Sequence, residues 1–211
     1  MAQAAETAPT RKLRRGPLTR SQILDASLKL FSDRGFTRTS VRDIAQAAGI
    51  TDAAIYYHFA SKRELFEALI EERGFTAALE DLEKAEPTVG PREAVVGMAT
   101  NALAFIYQNR DLMKVLMLEA MAEDAVATEE YRVLVQRWER GLVRIIRRYA
   151  EQGLLRTDAP EALAAQLAVT VIGAFADYMM MTPTDQRPDV VPPELMCRVE
   201  AAMHNIVRGV A

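Results

Sequence analysis

The 211-residue sequence is poor in the side chains on which most catalytic and metal sites depend. Its one cysteine, Cys197, excludes an intrachain disulfide and indicates a reducing compartment. Its two histidines, His58 and His204, stand far apart, and no Gly-rich phosphate loop, nucleophile elbow or Cys/His metal spacing occurs. We therefore expect a protein that is not an enzyme and that holds no cofactor or metal.

Long apolar runs are also missing. A membrane helix needs roughly 18 consecutive apolar residues. The longest candidate, "GAFADYMMM" with the residues before it, is interrupted by Asp177. The N-terminal "MAQAAETAPTRKLRRG" has no apolar segment beside its basic cluster, so it does not read as a secretory signal. The sequence predicts a soluble cytoplasmic protein without membrane contact.

The charges are divided unevenly along the chain. Residues 1–63 hold 11 Lys and Arg against 5 Asp and Glu, a balance of +6. Residues 64–211 hold 15 against 24, a balance of −9. A basic head on an acidic body favours a polyanion partner for the head alone. The alternative is a chance segregation of solvated charges.

Helical periodicity dominates and no β pattern is found, so we predict an all-α fold of about nine helices. Half of the residues are hydrophobic, which is enough for a sizeable core. Residues 1–18 are predicted to be a disordered basic arm, 19–66 a small helical head and 67–211 a body. The predicted helices are 19–34, 39–49, 51–59, 61–85 (a linker between head and body), 91–108, 111–123, 128–152, 160–181 and 193–209. Caps are predicted at Thr19, at Thr39 or Ser40, at Thr51 and at Ser61 (with Glu64 completing a capping box), and stops at Gly35 and Gly49.

Three residues at spacings of four and six indicate a helix-turn-helix. Ala45 lets two helix backbones approach, Gly49 allows a positive φ at the turn, and Ile55 fills the wedge. The next helix, within "GITDAAIYYHFASK", carries more aromatic residues than one core-facing stripe accommodates. Ile55 is predicted to point inward together with Phe59, while Tyr57 lies on the far face. Outward-facing phenols beside small residues suit phosphates and base edges in a major groove.

At these residues the sequence resembles the TetR (tetracycline repressor) family. The family signature reads roughly T-x-x-x-I-A-x-x-A-G-V-S-x-G-x-L-Y-x-H-F-x-x-K-x-x-L, and residues 40–65 read "SVRDIAQAAGITDAAIYYHFASKREL". Outright matches include Ala48-Gly49, Tyr56, His58-Phe59, Lys62 and Leu65; mild replacements are Ser40, Ile50, Thr51, Ala53 and Ile55. The resemblance covers about residues 19–66 and is highly specific in combination. "YQNRDLMKVLMLEA" (107–120) and "EQGLLRTD" (151–158) also look like stretches of the family's helical bodies.

The resemblance implies a cytoplasmic, nucleoid-associated homodimer. Residues 19–66 are then its helix-turn-helix DNA-binding domain, and the body, residues 67–211, senses a small molecule and forms the dimer. By motif position, the implied DNA contacts are Ser40, Arg42, Thr51, Ala53, Ala54, Tyr56, Tyr57, His58 and Lys62. Several roles stay open: Arg42 can read guanine or bind phosphate, and His58 can touch DNA or be polar surface. One of the two tyrosines can also pack against the first helix instead of contacting DNA. Asp52 can favour its own helix dipole or accept from a cytosine amine. The arm "RKLRR" (11–15) can enter a minor groove, touch phosphates or remain a solvated tail.

The body offers apolar and adaptable side chains for an effector site. Methionine suits cavities that admit varied apolar ligands, although each such residue can equally be ordinary core. The candidate ligand-binding residues are Met98, Phe105, Met113, Met117, Trp138, Phe175 and Tyr178. Asn101, Gln108 and Asp177 are polar candidates for orienting a ligand, or else surface residues.

In the family, the last two long helices pair with those of a second chain, which here implies a homodimer through 160–181 and 193–209. The expected function is a transcriptional repressor that binds a palindromic double-stranded DNA operator and is released by a small apolar effector. The alternative is a helical adaptor or regulator controlled by protein partners, without a small-molecule ligand. Cys197 lies in the last helix, where a packed thiol is preferred to a redox sensor.

Overall fold

The computed structural model describes residues 20–73 and 89–208, which form nine α-helices, one 3-10 helix and no strand. The helices are α1 (Arg20–Arg34), α2 (Val41–Ala48), α3 (Asp52–His58), α4 (Lys62–Arg73), α5 (Pro91–Gln108), α6 (Arg110–Met121), α7 (Ala125–Glu151), α8 (Pro160–Met181) and α9 (Pro193–Arg208). The predicted all-α architecture is confirmed. The predicted arm "RKLRR", the Thr19 cap and the linker helix after residue 73 lie outside the described residues.

The turns of the head follow from local sequence. Gly35 and Gly49 end α1 and α2 with φ of +81° and +71°, a conformation that glycine adopts without steric cost. Ser40, rather than Thr39, caps α2, because its Oγ accepts the Asp43 N–H at 3.1 Å while the Asp43 carboxylate accepts the Ser40 N–H. Thr39 is buried instead, and its hydroxyl donates to the Gly35 carbonyl oxygen at 2.8 Å.

The start of α4 differs in one detail from the predicted capping box. Ser61 Oγ accepts the Glu64 N–H at 3.0 Å, as expected of a cap. The Glu64 carboxylate, however, accepts the N–H of Ala60 at 2.5 Å, one residue before the position that the motif requires. The two bonds together fix where the chain enters α4.

Two predicted helix boundaries in the body were wrong. The predicted segment 111–123 ends at Met121, because Glu123 takes a left-handed conformation with φ of +62°. The predicted segment 128–152 begins earlier, at Ala125, because Asp124 accepts the N–H groups of Val126 and Ala127. Both corrections come from one tight turn between α6 and α7.

The body is a helical bundle in which α7 packs against α6 and α8, and α9 packs against α5 and α8. One described helix, α8, is long and apolar enough to span a membrane by length and composition alone. It contains the longest apolar run of the sequence, which Asp177 interrupts. Only 33% of its apolar window is buried, against α5, α7 and α9. Much of α8 therefore presents an apolar face that this single chain leaves uncovered.

Candidate nucleic-acid interface

The helix-turn-helix is assembled on a small buried core. Ile44, Ala45, Ile55 and Phe59 are all at most 1% exposed, as the spacing predicted. The Ile50 N–H donates to the Ala45 carbonyl oxygen at 2.9 Å, which closes the turn around Gly49. Phe59 is the C-cap of α3 in an extended conformation, rather than part of its last turn. The core therefore fixes the angle at which α3 leaves α2.

The outer face of α3 carries the aromatic residues that the core does not need. Tyr57 is 84% exposed and Tyr56 is 53% exposed. Ala53 is also exposed at the first turn, while Ala54 and His58 are half-buried. The imidazole of His58 lies edge-on to the Tyr57 ring, with centroids 5.1 Å apart. The outer face of α3 therefore carries small side chains at its N-terminus and aromatic side chains toward its C-terminus.

Two of the predicted DNA contacts also serve as helix caps. The Thr51 hydroxyl accepts the Ala54 N–H at 3.3 Å. The Ser40 hydroxyl donates to the Asp43 carboxylate at 2.5 Å, and the bonds from Ser40 hold the pKa of Asp43 below its usual range. A phosphate contact by the Ser40 hydroxyl therefore has to replace a bond that it already makes. Arg42, the second residue of the same helix, is exposed.

Lys62 occupies a position that the motif did not anticipate. Its ammonium donates to the carbonyl oxygens of Phe36 and Thr39, both at 2.8 Å, and lies 4.3 Å from the centroid of the Phe36 ring. Burial lowers its pKa, an effect that the nearby Glu119 carboxylate partly opposes. An ammonium has three donors, so one of them remains for a phosphate. The phosphate contact stays a prediction, and the structure adds a bracing role within the head.

Sequence reasoning missed Arg20. Its guanidinium donates to the His58 carbonyl oxygen at 3.0 Å and to Glu72 at 2.7 Å, and it lies 4.3 Å from the Phe59 ring centroid. This one side chain ties the C-terminus of α3 to α1 and α4. No local motif signals it, because its partners lie 38 and 52 residues away in the sequence.

The predicted ligand residues lie in or against the core. Met113, Trp138 and Phe175 are buried. Met98, Phe105, Met117 and Tyr178 are partly buried and pack on that core, and the Tyr178 ring lies 5.9 Å from that of Tyr107. Of the polar candidates, Asn101 and Gln108 are exposed, and Asp177 forms an ion pair with Arg198 at 2.8 Å. These three therefore do not lie inside an apolar site.

Two clefts in the described part of the chain are lined by other residues. The larger, about 840 Å³, runs along α7 between arginine and glutamate side chains, among them Arg140, Arg147 and Glu161. The smaller, about 380 Å³, lies between α1, the start of α6 and the loop after α8. None of the seven predicted ligand residues lines either cleft. In residues 20–73 and 89–208, no group of three or more His, Cys, Asp or Glu side chains could hold a metal ion.

The face of α8 that this chain leaves open is largely small or apolar, and α9 adds small residues among polar ones. On α8, Val169 is 68% exposed and Met180 is 78% exposed, with the exposed Gly173 between them. On α9, Cys197 and Ala201 are exposed at neighbouring turns. Such a surface on two adjacent helices is suited to packing against another helix pair.

Comparison with known proteins agrees with this geometry. A family model for bacterial regulatory proteins of the tetR family matches residues 23–69. The transcriptional regulator AcrR of Shigella flexneri is 51% identical over 53 residues, which is only 25% of either chain. The nucleoid occlusion factor SlmA of Aliivibrio fischeri is 30% identical over 171 residues, covering 78% of this chain and 86% of SlmA.

A solved structure is similar along nearly the whole chain. It is a complex with triclosan of SmeT, the repressor of the Stenotrophomonas maltophilia multidrug efflux pump SmeDEF. The TM-score is 0.67 at 26% identity, and the match covers 91% of each chain. The helix-turn-helix core, the exposed face of α3 and the similarity that extends into the body lead to one assignment: the chain belongs to the TetR family of bacterial regulatory proteins.

Proposed function

We propose that this protein is a transcriptional repressor that binds a palindromic operator as a homodimer and is released by a small apolar effector. Residues 19–66 are assigned to the DNA-binding head and residues 67–211 to the sensing and dimerising body. The observation that carries the proposal is the exposed Tyr56–Tyr57 pair on a helix whose Ile55 anchor is buried. The core gains nothing from this pair, whereas a DNA groove offers both rings partners.

The proposed docking places α3 in the major groove. The exposed Ala53 methyl group can approach thymine methyl groups, and the phenols of Tyr56 and Tyr57 donate to phosphates or base edges. Thr51 and Lys62 lie at the starts of α3 and α4, where they bind backbone phosphates on either side. Arg42 of α2 contacts guanine or phosphate. Ser40, Ala54 and His58 complete the proposed contact surface.

The proposed dimer forms through the open faces of α8 and α9. Exposed apolar residues such as Val169 and Met180 would be covered there by the same residues of a second chain. A two-fold pair of heads then reads two half-sites about 34–36 Å apart, one turn of DNA. An isolated head has too few phosphate contacts for tight specific binding, so the dimer supplies the affinity.

The proposed effector enters the body among the apolar residues predicted for it, from Met98 on α5 to Tyr178 on α8. SmeT, solved with triclosan, shows that a relative of similar fold accepts a bound compound. Since the predicted residues pack as core, effector binding requires the core to open. Binding of the effector then weakens binding of the operator, and the reverse, with a coupling free energy of roughly 1–3 kcal/mol. A cytoplasmic location follows from the DNA target.

A second candidate is a DNA-binding regulator controlled by protein partners without a small-molecule ligand. One observation favours it: Met113, Trp138 and Phe175 are buried, as ordinary core residues are. Calorimetry separates the two candidates: an effector whose affinity falls in the presence of operator supports the first, and equal affinity with and without operator contradicts it.

The first test is an in-vitro selection of random duplex DNA with the wild-type protein and with Tyr57→Ala. We expect the wild type to enrich a palindrome and the variant to bind it tenfold or more weakly, since a hydrogen bond to a charged group contributes about 1.5–3 kcal/mol. The variant should keep the wild-type Tm, because Tyr57 is 84% exposed. Val190→Ala, at an exposed residue outside the head, is the matched control. If a folded wild-type dimer enriches no sequence at low salt, the proposal is wrong.

A further inference from the structure

Head and body meet at a polar joint beside the turn between α6 and α7. We use "head–body joint" for four residues: Phe36 and Arg63 from the head side, and Glu119 and Asp124 from the body side. Helices α1 and α6 pack against each other at this place. The joint adds hydrogen bonds of defined geometry to that packing. It therefore fixes the orientation of the head relative to the body as well as the contact between them.

Asp124 connects two helix starts at once. Its carboxylate accepts two hydrogen bonds from the Arg63 guanidinium, at 3.1 and 2.8 Å. The same carboxylate accepts the N–H groups of Val126 and Ala127 at 3.1 and 3.0 Å, which caps α7. The first turns of α4 and α7 therefore share one carboxylate. Two parallel hydrogen bonds between a guanidinium and a carboxylate restrict the angle between the two groups as well as their distance.

Arg63 and Asp124 form a pair in which both side chains are charged. Burial alone would raise the pKa of Asp124, but the hydrogen bonds from Arg63 and from the Ala127 N–H outweigh burial and leave that pKa lowered. The hydrogen bond with Asp124 raises the pKa of Arg63. The Asp124 side chain is only 15% exposed, so the bond is better shielded from water than most surface ion pairs.

Glu119 makes the second connection. It lies on α6, is 8% exposed, and accepts the N–H of Phe36 at 2.9 Å. Phe36 stands in the turn between α1 and α2, so this bond joins the body to the helix-turn-helix itself. Between the two carboxylates the backbone is strained, because Glu123 holds a φ of +62°.

The joint continues into the DNA-binding surface through one further residue. Lys62 precedes Arg63 and holds the carbonyl oxygens of Phe36 and Thr39, just before the Ser40 cap of α2. The Arg63 guanidinium lies 5.6 and 5.8 Å from the ring centroids of Phe36 and Phe66. Displacement of the α6–α7 turn thus moves α4 and the entry to α2 together.

We infer that Arg63, Glu119 and Asp124 are positioning residues, which set the orientation of each head and thereby the half-site spacing that the dimer accepts. This inference rests on the proposed function, because it needs a palindromic operator and two heads. It adds to that function the polar contacts through which a change in the body reaches the DNA.

The test uses the full chain and the selected operator in a series whose central spacer is shortened or lengthened by one and two base pairs. The dissociation constant is measured for each spacing and for a single half-site, with wild type, Asp124→Asn and Arg63→Met. Asparagine caps helices as well as aspartate does, so Asp124→Asn removes the charge pair and keeps the cap. Arg63→Met breaks the same ion pair by a change in α4 and leaves the sequence of α7 unchanged.

We expect wild type to prefer one spacing sharply. In both variants the ratio between the best spacing and one two base pairs away should fall roughly fivefold or more. Their affinity for the single half-site should be unchanged, since no residue of the joint lies on the exposed face of α3. Glu129→Gln, which breaks an ion pair with Arg132 inside α7, should keep the wild-type profile.

Two results overturn the inference while leaving the proposed function intact. One is a wild-type spacing profile in both variants. The other is an equal loss of half-site and full-operator affinity with a lowered Tm, which would mean that the joint only holds the head folded. A folded wild-type dimer that enriches no palindrome would refute the proposed function, and this inference with it.

Discussion

At the scale of single residues, the head separates groups that shape it from groups that face outward. Arg20 and Lys62 both aim their charge at backbone carbonyl oxygens inside the head. Tyr56 and Tyr57 instead expose their uncharged phenol rings to solvent. A motif match treats such positions alike, because it records residue types and not their partners. Binding and bracing roles therefore have to be assigned from contacts.

Lys62→Met tests this assignment. Methionine keeps the unbranched stem against the Phe36 ring but removes both bonds to the carbonyl oxygens of Phe36 and Thr39. The Phe36 carbonyl oxygen keeps one bond, from the Thr39 N–H at 3.2 Å. Loss of the two charge-assisted bonds from Lys62 to partly buried carbonyl groups should still lower the free energy of unfolding by about 1–3 kcal/mol. Thermal and denaturant unfolding measure it, with the exposed Lys29→Met as control. An unchanged stability with weakened operator binding would show instead that Lys62 acts mainly on phosphate.

At the scale of helices, the sequence predicted those boundaries whose signals lie within a few residues. Gly35, Gly49 and the Ser40 and Thr51 caps all act over at most four residues, and all four are confirmed. The turn between α6 and α7 was predicted at the wrong residues because α6 is ended by a left-handed glutamate, Glu123, where glycine is usual. The N-cap of α7, Asp124, also lies within a run of ordinary helix-forming residues, so the sequence does not mark it. A left-handed glutamate has no reliable signature in sequence.

Glu123→Gly should stabilise the protein. The N–H of Glu123 donates to the Ala120 carbonyl oxygen at 3.0 Å and that of Asp124 to Glu119 at 2.9 Å, so the turn demands a left-handed residue. Relief of the side-chain clash, less the greater freedom of glycine in the unfolded chain, leaves about 0.5–1 kcal/mol. For a chain of this size that raises Tm by about 1–4 °C. Glu123→Ala retains the Cβ and should gain nothing; a lower Tm for the glycine variant would contradict the account.

At the scale of the whole molecule, the contacts of the head–body joint connect distant parts of the chain. Arg63 and Asp124 are 61 residues apart, and Phe36 and Glu119 are 83 apart. Periodicity gives each helix its buried face but does not say which helix covers it. The exposed face of α3 was therefore predictable from residues 40–65, whereas the head–body joint was not. The effector residues were predicted by type, and that signal cannot tell a cavity from a core.

The uncovered face of α8 leads to a prediction about assembly. Val169 lies midway along this face and is 68% exposed in the single chain. If α8 and α9 form the proposed dimer, Val169→Glu buries a carboxylate in the interface, and an unpaired buried charge costs about 3–5 kcal/mol. We expect sedimentation to show monomers at concentrations where wild type is dimeric.

Operator affinity should fall with the dimer while single half-site affinity persists, because the head is untouched. Val190→Glu places the same charge at an equally open valine, 72% exposed, in the loop between α8 and α9. It should leave both the dimer and operator binding as they are. A Val169→Glu protein that stays dimeric would place the dimer interface elsewhere. It would also leave the exposed apolar face of α8 for another partner, as the second candidate function requires.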